Sequence, residues 1–556
     1  MKRTIYVAAI LVSVVLPVAA QDSAVARPQA AQEYDVVITG GRIVDGSGNP
    51  WYLADVGIRG GRIAAMGRLC ASGGAGASAS VCPAVRTVDA RGLYVAPGFI
   101  DVHTHSERGI RERPQANNFL FDGVTSIVSG NCGNSATNLA EVFVELRANG
   151  MAINYSTLVG HNAVRSEVMG TDQRDPTPEE QAKMEALVEQ AMRDGAVGLS
   201  TGLIYIPGTY SKTPEVVGLA RAAAKHNGVY ASHMRNEGTE IFDAILEAIT
   251  IGREAGLPVE LSHFKVSNKK IWGDSDKTIA LVEKARAEGL DVTVDQYPYA
   301  ASSTNLGVLL PSWALAGGRE AIAKRLADPA TRKKIASEMK DQLVKRNGRK
   351  RMDHAFVSTC RWDESLNGKS ITQIAKERGR KGKLKDEIET VLEMMEKGGC
   401  SMVYHSMSEE DVVRILQFPY SMVASDAGIL NFGVGVPHPR GYGTNARVLG
   451  RYVREQRVIR LEEAIRKMTS LPAQRFRLTE RGLVRPGMWA DLVVFDAATV
   501  IDTATFEKPH SFSEGFRYVL VNGVVTIEGG KHTGARAGQV LLGPGAVPSE
   551  AAGGGK

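Results

Sequence analysis

The sequence predicts an α/β chain: a (β/α)8 barrel of the TIM type, with a small β-sandwich domain built from both chain ends and an insertion before the last barrel strand. Three observations predict it. Apolar strand-like runs followed by polar or reactive residues and then a helical stretch recur through the middle of the chain, as βα units around a parallel sheet do. Short β-rich patterns with Gly turns occupy both ends. A stretch far longer than any ordinary βα connection separates the last two middle strands.

At the N-terminal side, residues 34–39, 42–44 and 55–59 alternate with turns at Gly40-Gly41 and Gly60-Gly61, the pattern of short antiparallel strands. Residues 490–495, 518–521, 523–528 and 531–536 repeat that pattern at the far end. Both ends therefore belong to one β-domain, residues 34–92 with 481–545, around a barrel at 93–480. The eight barrel strands are expected at 93–102, 124–129, 155–160, 196–201, 229–232, 259–262, 292–295 and 422–425. Several end in His, Cys or Asp, and barrel enzymes place their chemistry at strand C-termini. No GxGxxG turn follows the first strand, which disfavours a dinucleotide fold. The insertion, at about 300–420, should carry helices near 319–345 and 371–378 and strands near 355–359 and 402–405, placed to act as a lid or specificity wall.

With 43% hydrophobic and 23% charged residues among 556, neither global disorder nor a membrane-embedded body is indicated. Lys2 and Arg3, the apolar run 5–16 and Val18-Ala19-Ala20 before Gln21 read as a cleaved signal peptide, residues 1–20, followed by a linker at 21–33. The alternative, an uncleaved anchor, needs roughly 20 apolar residues. A bacterial periplasmic or secreted protein is expected, with no stable membrane insertion and a disordered tail at 546–556. The five cysteines form no CxxC pair and are too few for a disulfide scaffold, although Cys70 and Cys82 could close the Gly/Ala/Ser loop between them.

The net charge of +6 concentrates at 319–385, with the run Lys345-Arg346-Asn347-Gly348-Arg349-Lys350-Arg351. A nucleic-acid patch would show aromatic interleaving or a recognised motif. Neither is present, so the run is assigned to a solvated helical face, with no nucleic-acid partner.

The strongest single signal is Gly98-Phe99-Ile100-Asp101-Val102-His103-Thr104-His105, an apolar strand ending in two histidines one residue apart. Alternate strand residues face one side, so His103 and His105 can share a metal. His233 and His263 close later strands in Ser232-His233 and Ser262-His263, and Asp426 closes the eighth. Each alone reads equally as a hydrogen-bonded structural residue; the repeated strand-end placement argues for a site. Imidazoles and a carboxylate suit zinc or another borderline divalent ion. Cys132, in Gly130-Asn131-Cys132-Gly133, is either a buried inert thiol or a thiolate ligand, and its flanking glycines favour a close backbone approach.

Taken together these residues resemble the amidohydrolase superfamily and, within it, the N-acyl-D-amino-acid deacylases or D-aminoacylases, over nearly the whole mature chain. The resemblance implies one tightly held Zn2+ on Cys132, His233 and His263, and a second, weaker position on His103, His105 and Asp426. It also implies a substrate-carboxylate set of Lys265, Arg440, Tyr205 and Tyr297. Other branches of the superfamily bridge two metals with a carboxylated lysine after the fourth strand. Here that strand leads into Gly202-Leu203-Ile204-Tyr205-Ile206-Pro207, and Lys212 is too far along the loop to replace it.

The expected chemistry is hydrolysis of the amide of a small N-acyl amino acid by metal-activated water, with Asp426 as base and then as acid toward the leaving amine. His161, after the third strand, is the next choice for the proton shuttle. Two alternatives stay open: a cyclic-amide hydrolase of the dihydroorotase or hydantoinase kind, and a noncatalytic binder on the same fold. Side-chain and acyl preference, strictness of D selectivity, metal count and oligomeric state are not fixed by the sequence.

Overall fold

The computed structural model describes residues 34–70 and 82–547. The expected signal peptide, the linker and all but the first two residues of the expected tail lie outside them. Those two are ordered by hydrogen bonds, Ala546 N to Gly543 O and Val547 N to Arg193 O, so the chain is held further than expected.

Eight positions of parallel strand make the barrel. They are Phe99–Asp101, Val124–Ser129, Asn154–Thr157 continued by Val159–Gly160, Gly198–Gly202, Val229–His233, Val259–Leu261, Val292–Gln296 and Ser421–Val423. The third strand is split: its first half pairs the second strand, its second half the fourth. Closure between the eighth and first strands runs through the Thr104–Ala427 bridge. It is reinforced by Asp426 N donating to His103 O at 2.9 Å and by Ser425 N donating to both Asp101 carboxylate oxygens at 3.1 Å.

Outer helices show why their sequences fold locally. In Pro178–Asp194, Thr177 and Glu180 form a reciprocal capping box, Pro178 occupies the first turn, and Met184, Val188, Ala191 and Met192 form the buried stripe.

The terminal segments form a single nine-stranded sheet, with strands Tyr34–Ile43, Tyr52–Arg59, Arg62–Gly67, Ala84–Asp89 and Tyr94–Pro97 from one end and Leu492–Phe495, Phe516–Val521, Val524–Glu528 and Lys531–His532 from the other. The long first strand, irregular between Ile38 and Gly41, pairs Ala84–Asp89 along its first half and Tyr94–Pro97 at its end. Val36, Ile38, Val56, Val88, Val494 and Leu520 form its core.

The apolar run at 93–102 is not one strand. Tyr94–Pro97 belongs to this terminal sheet, paired antiparallel with Leu492–Phe495, and only Phe99–Asp101 enters the barrel. The change of partner falls at Gly98, where a Cβ would lie 2.2 Å from Thr125 Oγ1.

The insertion carries its own core, including Leu306, Ile335, Met339, Ile371, Val391 and Met402. Helices Gly318–Ala327, Pro329–Asp341, Ile371–Glu377 and Leu384–Glu396 pack with an antiparallel sheet of Ser302–Asn305, Ser401–Tyr404 and Ala355–Thr359. The helix at Leu384–Glu396 was not among the expected elements. Cys70 and Cys82 are disulfide-bonded, Cα atoms 4.3 Å apart, and a second disulfide, Cys360–Cys400, ties the insertion's strands. Among the described residues no helix is long and apolar enough to cross a membrane.

Candidate metal centre and active site

The strand C-termini deliver the reactive side chains to one cavity of about 560 Å³. Of the ten residues singled out in the sequence, nine line it: His105, Cys132, Tyr205, His233, His263, Lys265, Tyr297, Asp426 and Arg440. The tenth, His103, is fully buried behind Cys132, with its Nε2 3.4 Å from Sγ.

Cys132 stands between two donor sets. Its Sγ is 3.4 Å from His233 Nδ1 and 3.6 Å from His263 Nε2. Those spacings match the edge of roughly 3.5 Å expected in a tetrahedron with Zn–S near 2.3 Å and Zn–N near 2.0–2.1 Å. The two imidazole nitrogens are 2.7 Å apart, so that edge must open by about half an ångström to reach a tetrahedral edge of roughly 3.3 Å. On the other side His103, His105 and Asp426 converge, with His105 Nε2 3.1 Å and His103 Nε2 3.6 Å from Asp426 Oδ1.

The outward nitrogens explain why the inward ones are free to bind. His103 Nδ1 faces Asp295 Oδ2 at 3.2 Å, and His263 Nδ1 faces Glu237 Oε1 at 2.9 Å. Each carboxylate accepts a hydrogen bond from the Nδ1–H, which leaves the Nε2 lone pair facing inward, the arrangement that orients metal-binding histidines. His233 Nε2 is buried and, among the described residues, has no hydrogen-bond partner. A thiolate with imidazoles oriented in this way fits a borderline divalent ion.

Backbone geometry marks the same residues. Cys132, His263 and Asp426 have φ of 53°, 37° and 51°, in the left-handed region that non-glycine residues seldom adopt. Each lies just past a strand end, where the backbone must turn to aim a side chain across the barrel mouth. Next to Cys132, Gly133 has φ 79° and a Cβ there would meet Asn162 Oδ1 at 2.2 Å.

Burial raises the Cys132 thiol, whereas the charges of His103 and His233 and hydrogen bonds from His103 and His105 lower it, and the balance holds the thiol well below the ordinary cysteine value. Burial likewise raises Asp426, and Arg440 and His103 hold it well below the usual carboxylate range. Arg440 Nη1 is 2.9 Å from Asp426 Oδ2 and lies over the Tyr297 ring at 4.4 Å. Lys265 is not a solvated residue: it is 4% exposed, with Nζ 2.5 Å from Glu237 Oε1 and 5.8 Å from the Tyr297 ring. Tyr205 tilts against His233, ring centroids 4.7 Å apart, and its hydroxyl meets Thr304 Oγ1 of the insertion at 2.9 Å.

One placement differs from the sequence reading, and two residues of the site lie outside it. His161 does not reach the cavity; it opens helix His161–Met169, and its Nε2 pairs Glu215 Oε1 at 2.8 Å beside Arg165. It belongs to a buried ion network behind the strands, leaving no proton-shuttle role for it. Glu237 and Asp295 were not singled out. Asp295 had a signal, since it sits near the end of the seventh strand as the other reactive residues do on theirs. Glu237 lies in a loop four residues after His233, with no periodic pattern to mark it. The fourth strand, Gly198–Gly202, presents no lysine, and Lys212 is exposed and paired with Asp175 at 2.5 Å.

The model of the amidohydrolase family matches residues 86–311 and 421–527, on either side of the insertion. The D-aminoacylase of Alcaligenes xylosoxydans xylosoxydans is 38% identical over 534 residues, 92% of this chain and 98% of that one. The chain belongs to the amidohydrolase family, in its D-aminoacylase branch. Among solved structures, the N-acyl-D-glutamate deacylase of Bordetella bronchiseptica, complexed with zinc and a phosphonate inhibitor, superposes with a TM-score of 0.76 at 36% identity, covering 92% of this chain and all of that one. The dihydropyrimidinase of Brevibacillus agri shares the fold alone, with a TM-score of 0.54 at 15% identity over 92% of this chain and 99% of that one.

Proposed function

We propose that this amidohydrolase is a zinc-dependent N-acyl-D-amino-acid deacylase, cleaving the amide to a carboxylate and a free D-amino acid. The observation that carries the proposal is Cys132 between the inward nitrogens of His233 and His263, with no lysine ending the fourth strand. Cys132, His233 and His263 would hold the tight ion, and His103, His105 and Asp426 a second, weaker one. Zinc supplies Lewis acidity, bringing the pKa of water from about 15.7 toward about 7 and stabilising negative charge on the amide oxygen.

The protein's residues do the rest. Asp426 takes the proton from the attacking water and returns it to the amine nitrogen as the C–N bond breaks. Lys265 and Arg440, both over the Tyr297 ring, receive the α-carboxylate and fix the amide over the strand ends. Tyr205, packed against His233, and Tyr297 complete the substrate-carboxylate set. Export to an oxidising compartment completes the proposal, supported by the N-terminal pattern and the two disulfides. The partner is a small molecule.

Matched N-acetyl-D- and N-acetyl-L-amino acids, with hydantoin and dihydrouracil alongside, test the reaction by amine release and ring opening on protein of measured zinc content. Turnover should be confined to the linear D-configured substrates, with about one tightly held zinc per protein molecule. Faster opening of the cyclic amides, or equal rates on both enantiomers, would sink the proposal.

A further inference from the structure

The basic run assigned above to a solvated face turns one edge into the active-site cavity. Gln342, Arg346, Asn347, Arg349 and His354, all from the insertion, line the same cavity as Cys132, His233 and Asp426. Its volume, about 560 Å³, is in the range of pockets that enclose a ligand considerably larger than an N-acetyl amino acid.

A charge inventory of the wall leaves one cation over. Lys265 is paired with Glu237 and Arg440 with Asp426. Arg346 reaches Glu240 at the exposed rim, at 3.4 Å. Arg349 is half-buried and donates from Nη2 to His405 O at 3.0 Å, but among the described residues no carboxylate forms an ion pair with it. Burial works against its charge, and Asp353 offsets that only in part. A half-buried guanidinium keeps most of its five donors for an acceptor that the fold does not supply.

The segment is held in place. Arg349 N donates to Leu343 O at 2.8 Å and Asn268 Nδ2 to Arg346 O at 3.2 Å, so Arg349 sits on a fixed loop. Beside it His354 is neutral, pushed down to about 3 by burial and by Arg349 against the opposing effect of a backbone hydrogen bond at Arg351, and among the described residues its buried Nδ1 has no hydrogen-bond partner.

We infer that Arg349, with Arg346 and His354 beside it, forms a subsite for a second anionic group on the substrate, a carboxylate additional to the α-carboxylate. It rests on the deacylase reading and narrows it to dicarboxylic substrates. The second carboxylate can come from an acidic amino-acid side chain or from a dicarboxylic acyl group, and the guanidinium would engage either in the same way.

Kinetics on N-acetyl-D-glutamate, N-succinyl-D-methionine and N-acetyl-D-methionine separate the two sources, using zinc-loaded wild type, Arg349→Gln and Arg349→Lys. At least one dicarboxylate should exceed N-acetyl-D-methionine tenfold or more in kcat/KM, chiefly through KM. Arg349→Gln should lose at least ten times more on that substrate than on N-acetyl-D-methionine, and Arg349→Lys should recover part of the difference. Equal losses on all three substrates, or a lysine variant no better than the glutamine one, overturn the subsite.

Calorimetry with glutarate, which contains no amide, gives a readout independent of turnover. Wild type should bind it at least tenfold tighter than Arg349→Gln, and equal affinities overturn the subsite even if the enzyme is active. Glutarate binding that depends on Arg349, with no hydrolysis of any N-acyl amino acid, would leave the subsite standing and remove the deacylase reading. Zinc content and circular dichroism of each variant establish that it has folded.

Discussion

At Cys132 a thiol meets three imidazole nitrogens within 3.6 Å in a backbone conformation that costs of order 1 kcal/mol to hold. A buried inert cysteine would need neither the turn nor the imidazoles. Cys132→Ala should therefore lower zinc content sharply while circular dichroism stays unchanged, and a variant with full zinc would make the residue mere packing. Asp426→Asn separates binding from proton transfer: nearly isosteric, it should keep the tight zinc and lose roughly 10²- to 10⁴-fold in kcat. Near wild-type kcat with zinc bound would move the proton shuttle elsewhere, and not to His161, which is committed to Glu215. The donors themselves were legible in the sequence because strand alternation and strand-end placement mark them. Glu237 and Asp295 were not, because they act on the far nitrogen of a histidine, a relation set by packing between strands that lie far apart in the sequence.

Secondary-structure elements were legible wherever composition changes with the element. The continuous apolar run at 93–102 hides a change of hydrogen-bond partner at Gly98, and nothing local distinguishes its two halves. The same non-locality fixes Arg440. The helix Arg440–Arg447 is anchored by Asp122, whose carboxylate accepts from Asn445 N at 2.7 Å, Ala446 N at 3.0 Å, Asn445 Nδ2 at 3.0 Å and Ser513 Oγ at 2.8 Å. One side chain thus joins the start of the barrel, the helix that carries Arg440 and the C-terminal segment. Asp122→Ala takes the acceptor from Asn445 N, Asn445 Nδ2 and Ala446 N, while Ser513 Oγ keeps Tyr442 O at 3.0 Å, a cost of about 3 kcal/mol or more. The expected outcome is a lower melting temperature with a raised KM for free-carboxylate substrates, since Arg440 loses its support. An unchanged melting temperature would show that water replaces the carboxylate.

On the scale of the whole molecule, metal binding and selectivity reside in different parts. All six proposed ligands come from the barrel's strand ends, whereas Gln342, Arg346, Arg349 and His354 come from an insertion with a hydrophobic core of its own. The family model also skips this segment, between 311 and 421. Its two sides are joined by Arg319 Nη2 donating to Lys397 O at 3.3 Å, and residues 318–398 would be replaced by a Gly/Ser linker, with Cys400, which loses Cys360, changed to Ser. Leu306 and Met402, stripped of their partners, would be changed to polar residues to limit association. The shortened protein should retain zinc at the wild-type ratio, because no ligand and no part of the barrel core has been removed. It should also lose discrimination between N-acetyl-D-glutamate and N-acetyl-D-methionine, with KM raised for both as the cavity opens on one side. Lost zinc in a folded, shortened protein would mean that the insertion holds the strand ends in place, and retained discrimination would return the choice of side chain to the barrel mouth.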